Sequence, residues 1–240
     1  MKLDHQPYPQ QGQLAKTLNL TLGTLRSRLA DIELQEATVY CYVIATIQFD
    51  GRGFLQTGSA PNFQGDLITL CTCKHFMRTF LDAPGWQGKW IAGFTGVEAG
   101  SGRNALVYMM RVAHAFESQR DLWLSEALTS AAREAKAADR DKFGDVYQPI
   151  SEQGNPFDPV SYREPVQNNV HAEGPEWHKD IAYVTRAGRR PALLVGQSGL
   201  SFLWSKPILC YSSALPRLHR GQKKPTLETL LQQMQDLGTS

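Results

Sequence analysis

The stretch TVYCYVIATIQF, residues 38–49, is dense in β-branched and aromatic side chains. Such side chains pack well on a pleated surface, so the stretch predicts a buried strand. Five further apolar runs predict strands at residues 67–75, 89–96, 105–115, 191–195 and 202–211. A Gly-rich turn at residues 196–199 separates the last two. We therefore expect a sheet that is mostly laid down before residue 116.

Helical patterns flank this set of strands. Residues 13–33 carry leucines at helical spacing with an interruption near residues 19–23, which predicts two short helices. Residues 121–140 combine charges with Leu and Ala and predict a longer helix. Thr226 can cap a closing helix that runs to about Leu237. The sequence predicts an α+β fold with a curved, mainly antiparallel sheet or pseudobarrel, flanking helices and an N-terminal helical extension.

Composition divides the chain into three parts. Residues 1–12 are rich in Gln and Pro and predict a mobile tail without core contacts. Residues 13–36 form the helical extension, and residues 37–240 form the α+β domain. Within that domain, residues 144–178 lack periodicity and predict a long loop. The aromatic side chains of this loop favour an ordered segment lying on the domain.

Charge and cysteine content restrict the kind of protein. Twenty-five Lys and Arg against 23 Asp and Glu give a net charge of +2, so nucleic-acid binding would need a local patch. No apolar run is long enough for a signal sequence or a membrane span, and we expect a cytoplasmic protein. Four cysteines do not make a disulfide framework, so we expect reduced thiols. The residue pattern names no cofactor.

The segment LITLCTCKH, residues 67–75, holds the most reactive side chains. Strand alternation would put Cys71, Cys73 and His75 on one face. Cys73 beside Lys74 and His75 could act as a nucleophile, whereas Cys71 suits the core. Cys-x-Cys-x-His is not a common zinc spacing and no second Cys pair exists, so we predict no metal site.

The segment HAEGPEWHKD, residues 171–180, offers a second source of chemistry. His178 and Asp180 could form an acid–base pair beside a stacking ring. The alternative is a surface loop with a satisfied histidine. The candidate catalytic residues are Cys73, His75, His178 and Asp180.

The loop TGSAPNFQG, residues 57–65, suits a planar base. Phe63 could stack on the base, and the side-chain amides of Asn62 and Gln64 could hydrogen-bond the edge of the base. A basic cluster at the end of the 67–75 strand could meet a phosphate, and so could the Gly-rich loop at residues 93–104. That loop matches neither a Walker A nor a dinucleotide motif. The predicted nucleic-acid or nucleotide contacts are Asn62, Phe63, Gln64, Lys74, His75, Arg78 and Arg103.

A different mode of DNA binding is conceivable at the N-terminus. The segment LAKTLNLTLGTLRSRLADIE, residues 14–33, is similar to the turn and recognition helix of a helix-turn-helix. Thr24, Arg26, Ser27 and Arg28 would then contact phosphates or bases. The alternative is a helical hairpin packed on the domain that follows.

Five segments follow one another along the chain: a first strand, the Pro-Asn-Phe loop, LITLCTCKHFMRT, KWIAGFTG and LVYMMRV. This order resembles the second nucleotide-modification-associated domain family. The similarity spans about Val39 to Trp123, with weaker support to Tyr211. His75 stands where relatives are expected to have proline. The residues that match the family segment are Asn62, Phe63, Gly65, Thr69, Leu70, Cys73, Lys74 and Arg78.

The resemblance implies a bacterial or phage DNA-modification or defence system and a pseudobarrel similar to PUA, ASCH or EVE domains, with DNA or a modified nucleotide as partner. The first hypothesis is recognition of a modified nucleobase in DNA through residues 57–65 and the mouth at Lys74 and Arg78. The second is a base- or nucleotide-modifying enzyme that uses Cys73 or His75. The third is a helix-turn-helix-type regulator.

Overall fold

The computed structural model describes residues 4–99, 102–173, 176–212, 218 and 223–237. Parts of the predicted tail (residues 1–3), of the Gly-rich loop (100–101) and of the long loop (174–175) lie outside the described residues. The strands are β1 (Val39–Val43), β2 (Ile47–Phe49), β3 (Phe54–Gln56), β4 (Thr69–Leu70), β5 (Trp90–Phe94), β6 (Leu106–Phe116), β7 (Leu193–Leu203), β8 (Leu209–Tyr211) and β9 (Met234–Asp236).

The helices are short. They are α1 (Gln13–Lys16), α2 (Leu22–Arg28), α3 (His75–Arg78), α4 (Ala83–Trp86), α5 (Gln119–Leu124), α6 (Ser130–Lys136), α7 (Glu176–Ala182) and α8 (Leu227–Gln233), with a 3₁₀ turn at Pro159–Ser161. None of these helices, in the parts of the chain that the structure describes, could cross a membrane.

Five strands form one curled sheet in the order β1-β5-β6-β7-β4. The β1–β5 pair is parallel, whereas the β5–β6, β6–β7 and β4–β7 pairs are antiparallel. Register shifts near Gly93 and between Met110 and His114 mark irregularities, and such irregularities bend a sheet. The result is a mixed five-strand half-barrel with flanking helices. The predicted α+β fold with a curved, mainly antiparallel sheet is confirmed.

The half-barrel surrounds an aromatic core. Trp86, Trp90 and Trp204 are almost fully buried, and Trp90 stacks on Phe202. The smaller strand pairs β2–β3 and β8–β9 lie outside the five-strand sheet. The two predicted N-terminal helices are present as α1 and α2, and Leu14, Leu25 and Leu29 join the core.

Several element boundaries differ from the sequence pattern. Residues 38–49 make two strands, β1 and β2, and not one. The helix predicted at 121–140 is two helices, because Ser118 and Thr129 each accept a hydrogen bond that caps a separate helix. Gly196 pairs with Val112 and Ser201 with Met110, so residues 197–200 lie between paired positions within β7 and do not divide two strands.

The predicted strand at residues 67–75 is paired only at Thr69–Leu70. Cys73 and Lys74 have φ angles of 55° and 45°, in the left-handed region, and α3 begins directly after them. Two consecutive residues in this conformation end the strand, so the alternation that would join Cys71, Cys73 and His75 on one face does not apply. Cys71 is fully buried, whereas Cys73 is half-buried.

Residues 4–12 contact the domain, contrary to what their composition indicates. Gln6 is fully buried, and its side-chain amide donates to the carbonyls of Gly58 (2.7 Å) and Pro61 (3.0 Å). Tyr8 stacks on Phe63 with the ring centroids 4.9 Å apart. In the long loop, Tyr147 and Tyr162 are buried with Trp177, which agrees with an ordered segment.

Candidate active site

The Cys73 thiol lies where the chain leaves β4 and enters α3. The buried guanidinium of Arg78 holds this corner, since Nε donates to the Cys73 carbonyl (3.0 Å) and Nη1 to the Ala192 carbonyl (2.8 Å). Left-handed backbone at non-glycine residues costs of the order of 1–3 kcal/mol, and such residues cluster at functional sites. The strained pair Cys73–Lys74 is therefore a reason to look for chemistry at this corner.

His171 and Asp180 approach the thiol from the far end of the long loop. His171 Nε2 is 3.6 Å from Cys73 Sγ, and His171 Nδ1 donates to Asp180 Oδ2 at 2.6 Å. The three side chains form a thiol–imidazole–carboxylate relay. In such a relay the base contacts the nucleophile and is itself oriented by a third group.

Asp180 is the centre of the arrangement. Its carboxylate is 1% exposed and accepts hydrogen bonds from His171, from His75 Nε2 (2.8 Å to Oδ1) and from the Tyr147 hydroxyl (2.9 Å to Oδ2). On its other side, the His75 ring stacks on Tyr183 at 4.9 Å. The carboxylate oxygens are thus held by three donors, one from α3 and two from the long loop.

The electrostatics follow from this geometry. Burial raises the pKa of Asp180, but the hydrogen bonds from His171 and His75 outweigh it and lower the pKa to about 2. Burial lowers the pKa of His171, but the hydrogen bonds to Asp180 and Cys73 outweigh it and raise the pKa to about 10. The carboxylate is therefore ionised and favours the imidazolium form of His171.

Ser59 and Thr72 complete the surroundings of His171. The Ser59 hydroxyl is 3.1 Å from His171 Nε2 and 2.7 Å from the Thr72 hydroxyl. Both hydroxyl side chains are fully buried, whereas Cys73 is half-buried. Of the two groups in contact with Nε2, the thiol is the one that a substrate can reach.

The thiol borders a cavity of about 410 Å³. Cys73, His75 and His171 line one part of it, and Tyr42 and Lys74 line another. Lys74 Nζ lies 5.0 Å from the centroid of the Tyr42 ring. This volume is within the range of small-molecule sites, and the cavity is open on one side.

Residues 36–174 match the family model described as nucleotide modification associated domain 2. The chain belongs to this family. The match covers more than half of the chain and includes Cys73, His75 and His171, whereas Asp180 follows its end. Searches of the curated proteins and of the solved structures gave no match.

The family resemblance read from the sequence is therefore confirmed, and the matched range is longer than the range from Val39 to Trp123 inferred from the motifs. The domain at residues 36–174 is thus associated with nucleotide-modification systems. The family description assigns no role to an individual side chain.

Three of the four candidate catalytic residues lie together, and His178 does not join them. Cys73 and Asp180 contact His171, and His75 contacts Asp180, whereas His178 is exposed on α7 with its ring against Trp177. Residues two apart on a helix point in different directions, so a helical assignment of residues 176–182 would have separated His178 from Asp180. The sequence pattern gave His171 no place among the candidate catalytic residues. Its partner Cys73 is 98 positions away, and no local pattern signals that contact.

The residues predicted to bind a base in this nucleotide modification associated domain 2 protein are mostly enclosed. Asn62 donates to the Phe143 carbonyl and accepts from Lys136 Nζ (2.8 Å each), and Phe63 is 1% exposed. Gln64 donates to Asp141 at 3.1 Å.

The predicted basic contacts are divided between three environments. Arg78 is fully buried, whereas Lys74 and His75 line the cavity. Arg103 Nη1 contacts Cys210 Sγ at 3.8 Å. In the described parts of the chain, no three His, Cys, Asp or Glu side chains are arranged to hold a metal ion.

Proposed function

We propose that this chain is a thiol-dependent enzyme that acts on a modified nucleobase or nucleotide. The observation that carries the proposal is the relay from Cys73 Sγ through His171 to Asp180, with the thiol on an open cavity. The family membership supports a nucleotide as the substrate class.

The reaction that suits this relay is acyl transfer. In the reacting form the Cys73 proton is already held on His171 Nε2, and the Sγ electron pair of the thiolate forms a bond to the carbonyl carbon of an acyl or amide group on the nucleotide. The carbonyl π pair moves to oxygen and then returns. The bond to the amine or alkoxide leaving group breaks, and that group takes the proton from Nε2. Water then gives a proton to His171 and attacks the acyl-cysteine, which releases a carboxylic acid and restores the Cys73 thiolate beside the His171 imidazolium.

Asp180 is assigned a positioning role in this reaction. Its bond to Nδ1–H turns Nε2 toward Cys73 and stabilises the imidazolium that forms when the thiol loses its proton. His75 occupies the second carboxylate oxygen and prevents the Asp180 side chain from rotating. Both roles are consistent with the raised pKa of His171 and the lowered pKa of Asp180.

The other two hypotheses have weaker support. Recognition of a base by the 57–65 loop would need Asn62 and Phe63 to leave buried positions. Helix-turn-helix binding would use Arg26, but its guanidinium donates to the Leu231 carbonyl at 3.2 Å and α2 packs against β9. The cavity beside Cys73 is lined by Lys74 but by neither Asn62 nor Phe63.

The test is the rate at which iodoacetamide alkylates Cys73 between pH 5 and 9, followed by peptide mass spectrometry. We expect His171→Gln to slow this alkylation at pH 6 by about tenfold or more, because the imidazolium that favours the thiolate is lost. His178→Gln, which changes the exposed histidine outside the relay, is the matched control. Equal rates for the wild type and His171→Gln at every pH would overturn the proposal.

Turnover is tested with nucleotides that carry an N-acyl group on the exocyclic amine or an ester on the base. Acid quenching of the wild type is expected to leave the acyl mass on the Cys73 peptide. Cys73→Ser should remove thioester formation, whereas His178→Gln should retain it. An acyl mass on any other residue would move the nucleophile away from Cys73.

A further inference from the structure

A second groove, of about 560 Å³, lies beside the candidate active site. It is lined by side chains of α3 and of the segment after α7, among them Phe76, Phe80, Tyr183, Arg186 and Arg189. Tyr183 stacks on His75, and His75 lines the cavity that holds the Cys73 thiol. The His75–Tyr183 ring pair therefore connects the groove to the site of chemistry.

The groove exposes an aromatic ring that the core does not use. Phe76 is 64% exposed and meets Phe80 edge-on, with the centroids 5.3 Å apart. Val184, next to Tyr183, is 47% exposed. A large ring left in water beside other apolar groups marks a binding surface more often than a single exposed side chain does. The face of a base is one partner that such a ring can stack on.

The charge of the groove has one sign. Arg186 and Arg189 are both exposed and line it, and its lining contains no carboxylate. Neither guanidinium forms an ion pair with a carboxylate of the described residues. The turn that carries them is closed by hydrogen bonds between Thr185 and Arg189 and between Gly188 and Thr185, so both cations are presented from one short loop.

We infer that this groove binds single-stranded nucleic acid next to the nucleotide that enters the Cys73 cavity. Phe76 stacks on a flanking base, and Arg186 and Arg189 contact phosphates. Stacking rings combined with cations that follow the backbone are the features by which proteins hold single strands. The inference rests on the proposed function and specifies its substrate as a nucleotide within a strand and not a free nucleotide.

The experiment measures fluorescence anisotropy of a labelled 12-nucleotide DNA strand, the matching RNA strand and a DNA duplex, at two salt concentrations. Phe76→Ala should weaken single-strand binding by about tenfold. Changing both Arg186 and Arg189 to Ala should reduce the slope of log K against log salt by about 1.4, which corresponds to two phosphate contacts on a single strand. Phe49→Ala and Arg52→Ala, on the β2–β3 hairpin, are matched controls for an exposed ring and an exposed cation.

Three outcomes would overturn the inference. The wild type could fail to bind either single strand, the groove variants could bind as the wild type does, or the duplex could bind best. Analytical ultracentrifugation could show a fourth contrary outcome. A wild-type dimer that Phe76→Ala converts to a monomer would show that a second copy of the chain covers the groove.

The result is separable from the proposed function. His178→Gln should bind the strand as the wild type does, because His178 lines neither the groove nor the Cys73 cavity. Suppose that strand binding depends on Phe76 but His171→Gln does not change Cys73 alkylation. This result would support the groove as a strand-binding site and reject the proposed enzyme. The opposite result would retain the thiol enzyme and reject the strand as its substrate.

Discussion

Replacing the carboxylate of Asp180 by an amide should change the protonation of His171 by orders of magnitude. Asp180→Asn keeps the size of the side chain but removes the charge that lies 2.6 Å from His171 Nδ1. Burial alone lowers the pKa of His171, and the bond to Asp180 is the largest contribution that raises it. With that contribution gone, we expect the pKa of His171 to fall from about 10 to about 7 or lower.

The size of the effect follows from those two values. At pH 7.5 a pKa of about 10 gives roughly 300 imidazolium molecules for each neutral imidazole, whereas a pKa of about 7 gives roughly one for every three. The ratio changes by about three powers of ten. Because the imidazolium favours a neighbouring thiolate, and most of it is lost at this pH in Asp180→Asn, alkylation of Cys73 at pH 7.5 should slow in the same variant.

The assay is an NMR titration of the imidazole ¹³C resonances of the six histidines, with His171 assigned by its loss in His171→Gln. Tyr147→Phe is the control, since it removes one hydrogen bond to Asp180 but keeps the carboxylate. It should shift the His171 midpoint far less than Asp180→Asn does, because the negative charge beside Nδ1 remains. A wild-type midpoint near 6.5, or the same midpoint in the wild type and Asp180→Asn, would refute the relay.

Three further predictions concern stability, measured by urea unfolding. Lys74→Gly should be more stable than Lys74→Ala by about 1 kcal/mol, because only glycine adopts a φ of 45° without strain, and the opposite order would show that the corner is unstrained. Phe63→Ala should cost about 3–5 kcal/mol, since the ring is buried and stacked on Tyr8, and a loss below about 1 kcal/mol would place the ring outside the core. The pKa of His171 is higher in the folded chain than in the unfolded chain, so its contribution is complete below about pH 6.5 and disappears as the pH rises through about 10. The stability difference between wild type and His171→Gln should therefore shrink over that range, and a constant difference would contradict the raised pKa.

The strands of the half-barrel could be predicted because their signal is local. β5 lies within the apolar run at 89–96, and β6 almost coincides with the run at 105–115. In such runs each side chain contributes to the pattern on its own. Sheet order has no local signal, since β1 pairs with β5 across some fifty residues and β6 pairs with β7 across a greater separation. The boundaries that were wrong depend on caps, as at Thr129, or on backbone angles, as at Cys73.

The candidate site shows the same division. Cys73 and His75 can be recognised in the sequence because two reactive side chains lie two residues apart. Asp180 can be recognised because it follows His178 at the same spacing. The contact that makes a relay is between Cys73 and His171, and it depends on how residues 144–178 lie across the domain. The burial of Asn62 and Phe63 is equally non-local, because Lys136 and Tyr8 reach them from distant parts of the chain.

Arg78 explains why the strained corner and the relay occur together. Its guanidinium is fully buried, and burial lowers its pKa, yet it bonds the Cys73 carbonyl and the Ala192 carbonyl at once. It thereby ties the left-handed turn after β4 to the residue that precedes β7. A buried cation favours negative charge on its neighbours, and Asp180 is among the groups whose attraction opposes the lowering of the Arg78 pKa. One side chain thus fixes the backbone at Cys73 and stabilises the carboxylate that bonds His171, so the same residue that holds the strain also supports the relay.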